Sequence, residues 1–321
     1  MLTIVAVPKA FRGRFDVIQR NALRSWARIT PRPEIVLFGS DEGVAEAARE
    51  IGARHIPELA TNQYGTPLVD HLWRSAQRAA SHRMVCYVNS DIILPTSFAL
   101  TVERVQASFR AEPFLAVGRK INLELPDLID FHDPSWESNL QRIAQERGNF
   151  VTYDSDYFLF PRGLWREVPA FAIGRCYWSS WFVFDARRRH LPVVDLTRSV
   201  VALESKHDYS HAQSTGGSKR LSGVEFELNR RLFRGCRYYT TVNATHVLSP
   251  AGLRPAPFSN HALSLKARAT YWVYFLLKGR LYPYSLPLIL ILRAVRISWQ
   301  GAWRSANRLR IRLRRQRQLS A

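Results

Sequence analysis

The chain has 321 residues, enough for one large α/β domain or two smaller ones, and 46% of them are apolar, as in a globular protein with a sizeable core. Lys and Arg outnumber Asp and Glu by 46 to 26, yet no acidic residue follows Glu227 while 18 of the basic ones do, so the first 227 residues are nearly balanced. A nucleic-acid-binding domain interleaves its basic residues over a folded surface; here the excess sits in a tail, which argues against a nucleic-acid partner.

The run Leu2 to Val7, ended by Pro8 and Lys9, is too short for a signal-peptide core and lacks a basic leader. It reads as a first strand (Thr3 to Val7), and the expected location is the cytoplasm. Phe15 to Trp26 has the pattern of an amphipathic helix, Glu34 to Phe38 of a strand, and Val44 to Ile51 of a helix. Pro67 to Ala80 reads as a helix with Leu68, Leu72 and Ala76 on one face. Met84 to Val88 is a strand, Thr96 to Phe109 a helix and Phe114 to Val117 a strand. This alternation with short loops predicts an α/β fold with a mostly parallel sheet and helices on both faces. Cys86 falls in strand core; with Cys176 and Cys236 it forms no CxxC pair, which argues against a disulfide framework or a zinc site.

Residues 119 to about 245 are less regular. Ser135 to Glu146, Trp178 to Arg189 and Gly223 to Phe233 look helical, and Tyr157 to Phe160, Pro192 to Asp195 and Val200 to Leu203 look like strands. His211 to Ser222 has a loop composition. The expected division is a catalytic domain over 1–250, with nucleotide binding assigned to 1–118 and acceptor binding to 119–250, followed by a basic amphipathic segment over 251–321. In that segment the apolar patches Tyr271 to Leu277 and Leu286 to Leu292 are broken by Lys278, Arg280, Pro283 and Pro287. Neither reaches the roughly 20 residues that cross a bilayer.

The strand Met84 to Val88 runs into Asn89-Ser90-Asp91. In open α/β sheets ligands bind beyond the carboxyl ends of strands. An Asp there, with Asn two residues earlier on the same side, suits a hard cation that also bridges phosphate oxygens. Mg²⁺ or Mn²⁺ in such sites takes one or two protein carboxylates and fills its shell with water and phosphate. The same three residues are also good helix caps.

Asn89-Ser90-Asp91-Ile92-Ile93-Leu94 resembles the Asp-x-Asp element of GT-A glycosyltransferases, in the variant with Asn at the first position. Further segments resemble one bacterial and plant group of GT-A-like, nucleotide-diphospho-sugar transferase-like enzymes. They are Lys9-Ala10-Phe11-Arg12-Gly13, the helix with Gln19-Arg20-Asn21-Ala22 and Ser25-Trp26, and Leu37-Phe38-Gly39-Ser40-Asp41-Glu42-Gly43. Asn62 to Pro67, Asp156 to Leu164 and His207-Asp208-Tyr209-Ser210-His211 follow in the same order. The resemblance covers about residues 3 to 250 and omits the tail.

It implies a Rossmann-type GT-A-like fold and a metal-dependent glycosyltransferase that takes a nucleotide diphosphate sugar donor and a glycan or lipid-linked acceptor. Pro8, Lys9 and Arg12 would approach the nucleotide together with Asn89. Asp41 and Glu42 would accept hydrogen bonds from base or ribose, although Asp41 can equally cap the helix after it. Arg20 can meet a phosphate or stay solvated. Asp91 would hold Mn²⁺ or Mg²⁺, with His207 completing the site, and an imidazole ligand favours Mn²⁺.

An inverting transferase also needs a carboxylate base for the acceptor hydroxyl. Relatives are expected to carry Trp-Asp-Asn-Trp where this chain has Trp178-Ser179-Ser180-Trp181, and serine cannot be that base. Asp156 is the best remaining carboxylate; its alternative role is a turn residue leading into strand 157–160. The two serines leave room for an inactive, scaffold-like relative.

From Leu292 apolar residues recur at helical spacing (Val295, Trp299, Ala302, Ala306, Leu309, Leu313), while Arg293, Arg296, Arg304, Arg308, Arg312 and Arg315 lie off that stripe. Such a composition predicts an interfacial helix docked on an anionic membrane, peripheral at its inner face.

Overall fold

Five-residue runs of buried apolar side chains make the strands at the centre of the protein, for which a computed structural model describes residues 2–110, 112–150, 155–205 and 223–256. The chain runs first through β1 (Leu2–Ala6), α1 (Arg14–Trp26), β2 (Glu34–Phe38), α2 (Val44–Glu50), β3 (Arg54–Ile56), α3 (Val69–Ala79) and β4 (Met84–Val88). It continues through β5 (Ile92–Ile93), α4 (Phe98–Ser108), β6 (Leu115–Gly118), β7 (Lys120–Leu123), α5 (Trp136–Arg147) and β8 (Asn149–Phe150). Then come β9 (Tyr157–Pro161), α6 (Trp178–Arg188), β10 (Val193–Asp195), β11 (Ala202–Ser205), α7 (Val224–Leu232), β12 (His246–Ser249) and β13 (Gly252–Pro255).

Nine strands form the main sheet in the order β13-β12-β10-β6-β9-β4-β1-β2-β3. Only β9, which runs antiparallel to β4 and β6, and the edge strand β13 break an otherwise parallel arrangement. The mixed α/β fold with a mostly parallel central sheet is therefore the one expected from the alternation of apolar runs. Strands covered on both faces read as continuous apolar runs rather than as alternation, and successive side chains leave the sheet on opposite sides. Ile4, Leu37, Cys86 and Leu159 pack with Trp26 of α1, Val44 of α2 and Phe98 of α4 on one face. On the other, Tyr87, Phe158 and Phe160 surround Trp73 of α3, which stacks on Phe182 of α6 at 4.2 Å between centroids.

A second sheet of four strands, β5-β11-β7-β8, stands beside the first. Its Ile93, Ile121, Leu123 and Leu203 pack on Phe131 and on Trp136 and Leu140 of α5. Among the described residues no helix is long and apolar enough to cross a membrane.

The connectivity fixes where a ligand can sit. From β1 the chain steps outward through β2 to β3, then returns to lay β4 on the other side of β1. The carboxyl ends of β1 and β4 thus flank a topological switch point, the crevice in which open α/β sheets bind ligands.

Candidate active site

The loop leaving β1 and the turn leaving β4 meet at this switch point. Lys9 Nζ lies 3.9 Å from Asp91 Oδ2, and 4.9 Å from the centroid of the Phe15 ring. Gln19, buried on α1, ties the two segments together. Its Oε1 accepts from the Lys9 backbone N–H at 2.7 Å and from Ser90 Oγ at 2.9 Å, and its Nε2 donates to the Lys9 carbonyl at 2.9 Å. Further along α1, Trp26 Nε1 donates to the Ile92 carbonyl at 2.8 Å and Ser25 Oγ accepts from the Leu94 N–H at 3.1 Å. Gln19, Ser25 and Trp26 therefore fix the backbone on both sides of Asp91. No helix starts at Asn89-Ser90-Asp91: the two-residue strand β5 follows, so these residues are not a cap.

Beside Asp91 lies a cluster of buried charge. Lys120 Nζ is 2.6 Å from Glu204 Oε1 and 3.1 Å from Asp156 Oδ1, and the Lys120 backbone N–H donates to Asp156 Oδ2 at 3.1 Å. Lys120, Asp156 and Glu204 are only 2–3% exposed and Asp91 8%. Glu204 reaches Asp91 because it pairs with Ile92 across β11 and β5. Burial, and next the charge of Asp91, push the Glu204 carboxyl up to about 8 against the opposing pull of Lys120. Gly118, at the end of β6, leaves room for the neighbouring phenol: a Cβ there would collide with the Tyr157 hydroxyl.

The third wall comes from β4 and α6. Burial, and then the charge of Asp91, raise the Tyr87 phenol above its ordinary range. Trp178 packs edge-on against Tyr87 at 5.5 Å between centroids. This brings the first turn of α6, with half-buried Ser179 and buried Ser180, to the same end of β4. The residue before that turn, Tyr177, has φ 86°, a conformation that costs a side-chain-bearing residue roughly 1–3 kcal/mol and persists where its surroundings enforce it. Phe226 and Phe233 enclose its ring, at 5.3 and 5.1 Å between centroids.

The remaining candidates form an outer rim. Arg12 and Glu42 are exposed and paired, with Arg12 Nε donating to Glu42 Oε2 at 2.7 Å. The Phe11 N–H donates to the Glu42 carbonyl at 2.8 Å, so the loops after β1 and β2 are joined. Asp41 is exposed and does not cap α2, whose N-cap is Gly43 at φ 83° with no side-chain bond. A Cβ at Gly43 would also come within 2.6 Å of Phe11 Cβ, so that joint requires glycine. Pro8 is buried at the base of the loop, and half-buried Asn89 donates its N–H to the Asp156 carbonyl at 3.4 Å. Arg20 is committed to Asp16, at 2.8 Å, and to Glu50. His207 and His211 lie outside the described residues.

No group of three or more His, Cys, Asp or Glu side chains able to hold a metal ion is found among the described residues. The donor set does fit a divalent ion held jointly with phosphate. Asp91 gives a hard oxygen ligand, and three buried carboxylates face one buried ammonium, which leaves the neighbourhood short of positive charge.

No protein-family model and no curated protein matches the sequence. Among solved structures, the chain is similar to residues 1–349 of S. aureus TarS in complex with UDP-GlcNAc. Identity is 14% and the TM-score 0.47, over 72% of this chain and 65% of that one, so the match spans under two thirds of the TarS fragment. It is also similar to glucosyl-3-phosphoglycerate synthase from Mycobacterium tuberculosis in complex with Mg²⁺ and UDP, at 16% identity and TM-score 0.39, over 67% and 74% of the two chains.

Two site residues, Lys120 and Glu204, escaped the sequence reading. Each is a charge at the margin of an apolar run, Lys120 just after β6 and Glu204 one residue past the expected strand Val200 to Leu203. A charge in that place reads as the end of a strand unless its partner, 84 residues away, is known.

Proposed function

We propose that the chain is a glycosyltransferase that moves a sugar from a nucleotide diphosphate donor to a glycan or lipid-linked acceptor. The observation that carries this reading is the Lys9–Asp91 pair at the switch point between β1 and β4. Lys9 offers a cation to a diphosphate. Asp91, an anion, can share that diphosphate only across a second cation. A bound Mg²⁺ or Mn²⁺ would supply Lewis-acid stabilisation of the leaving diphosphate. Asp91, with His207 as a further candidate, would hold it. Arg12, Asp41 and Glu42 border the nucleoside end, and Pro8 and Asn89 shape the loop and turn between them.

Asp156 was the candidate base. Buried and engaged by Lys120, it supports this reading better as a positioning residue: its carbonyl accepts from Asn89 and its carboxylate anchors Lys120. Residues 292–315 we assign to an anionic membrane surface at the inner face of the membrane, on their stripe of apolar residues and off-stripe arginines. They lie outside the described residues. Sedimentation with anionic liposomes should be lost on deletion of 279–321; unchanged binding by the truncated chain would refute this assignment.

Nucleotide binding tests the central reading. UDP, GDP, ADP and dTDP should be titrated by calorimetry with and without Mn²⁺, into the native chain and into Asp91→Ala. One diphosphate should bind more tightly with metal, and the metal effect should vanish in the variant. A metal effect that survives removes Asp91 from the site. Ser179 and Ser180 favour a second reading, a relative that binds the nucleotide but transfers nothing. Metal-dependent binding together with no release of sugar from any nucleotide sugar would select it.

A further inference from the structure

A cavity of about 640 Å³ opens away from this site, between the C-terminal half of α1, the end of α2 and residues 129–132. Arg24, Arg28 and Arg32 line it, with Glu50 and Asp130 as its acidic residues and Ala27, Ile51, Ile129 and Phe131 as its apolar ones. The charges do not cancel. Glu50 accepts from Arg20 and has Arg24 Nη2 at 3.8 Å. Asp130 Oδ1 accepts from the backbone N–H of His132 at 2.8 Å. Arg28 and Arg32 form no ion pair among the described residues. The Arg28 guanidinium lies 5.5 Å from the centroid of Phe131, and Arg32 donates one bond to the Ile51 carbonyl.

We propose that this cavity is a second ligand site, for a sugar that carries a carboxylate or a phosphate. Planar guanidinium groups with unused donors recognise an oxyanion in two-point fashion. Ring stacking on Phe131 and the Ile51 bond hold Arg28 and Arg32 in place before a ligand arrives, which lowers the ordering cost of binding. The volume lies within the roughly 300–1,000 Å³ of small-molecule sites, and the apolar floor gives a sugar ring a face to lie on. The site is distinct from the Lys9–Asp91 crevice: Gln19, which serves that crevice, and Arg24, which lines this cavity, point about 140° apart around α1. The inference goes beyond the transferase reading and stands without it.

Calorimetric titration of the full chain with glucuronate, glucose 6-phosphate, inorganic phosphate and glucose tests it. Glucuronate or glucose 6-phosphate should bind, glucose should not, and inorganic phosphate should bind more weakly because it leaves the apolar floor bare. The double variant Arg28→Gln/Arg32→Gln should lower that affinity by about tenfold or more, the worth of hydrogen bonds to charged groups, at an unchanged melting temperature. Glu50→Gln should instead tighten binding by releasing Arg24, an effect that a purely structural role for these arginines would not produce. Asp91→Ala should leave the affinity as it was. Failure of both acidic sugars to bind, equal affinity in the double variant, phosphate binding as tightly as the sugars, or loss of binding in Asp91→Ala would each overturn the proposal.

Discussion

Lys120 and Glu204 join two strands by their charges, Nζ to Oε1 at 2.6 Å. Ala202 lies opposite Lys120 in the parallel pair of β7 and β11, so Glu204 is two residues further on and faces the same side. Asp156, at the start of β9, supplies the second carboxylate to the same ammonium and so ties the small sheet to the large one. Removing one member of a buried ion pair leaves the other uncompensated, at a cost of about 3–5 kcal/mol. Lys120→Met should therefore destabilise the fold by that amount in urea unfolding. A loss under about 1 kcal/mol would mean that water reaches the two carboxylates.

The same cluster sets a pH dependence. Burial and Asp91 raise Glu204 from its ordinary 4.5 to about 8. Between those two values the folded chain holds a proton that the unfolded chain has released, so stability falls as pH rises, by up to about 1.4 kcal/mol per unit. The contribution is complete below the unfolded value and lost as pH passes the folded one. Unfolding free energies measured from pH 5 to 8 should decline, and Glu204→Gln should flatten the decline. An identical slope in the variant would assign the dependence elsewhere.

Gln19 makes three hydrogen bonds, two to Lys9 and one to Ser90. Gln19→Leu keeps the bulk of the side chain but leaves the Lys9 amide and carbonyl without that partner in a part-buried setting, at a cost of about 1–3 kcal/mol. The larger effect should fall on nucleotide diphosphate affinity, because Lys9 is then no longer held at Asp91. Affinity that stays unchanged while stability drops would separate Gln19 from the binding site.

What the sequence shows and hides follows from how each residue is satisfied. Met84 to Val88 and Glu34 to Phe38 are found to the residue, because both faces are covered and each run is apolar to its ends. β3 is missed because its three residues, Arg54 to Ile56, lie at the sheet edge with none buried. β7, Lys-Ile-Asn-Leu, is missed because one of its buried side chains is charged and matched only by Asp156 and Glu204, far along the chain. Asp91 is legible since a strand end with a carboxylate is local information. Asp156 was singled out for chemistry by its residue type, while the lysine that engages it is visible only in three dimensions.

The last prediction concerns the support beneath the strained Tyr177. Arg175 Nη2 lies 2.6 Å from Glu225 Oε2, and both side chains are almost fully buried. Glu225 Oε1 also accepts from Asn62 Nδ2 at 2.8 Å. Asn62 Oδ1 accepts the N–H groups of Tyr64 and Thr66, at 2.9 and 3.1 Å. One carboxylate on α7 therefore fastens both the turn before α3 and the segment that leads into α6. Burial pushes the Glu225 carboxyl upward, but bonds from Asn62 and Thr66 and the charge of Arg175 outweigh it and hold the carboxyl below its ordinary value. Its contribution to stability is thus present at neutral pH and is lost as pH falls through that lowered value. Glu225→Gln keeps the shape and the Asn62 contact but strands the Arg175 charge, and should cost about 3–5 kcal/mol. Arg175→Met/Glu225→Leu removes both charges and should recover much of that loss. It should not restore the turn at Asn62, so the first turn of α6 would stay loosened and any transfer activity reduced. Urea unfolding of both variants, with amide hydrogen exchange over 62–67 and 172–180, measures each effect. Equal destabilisation in the single and double variants, or unchanged exchange in both segments, would show that Glu225 does not fasten them.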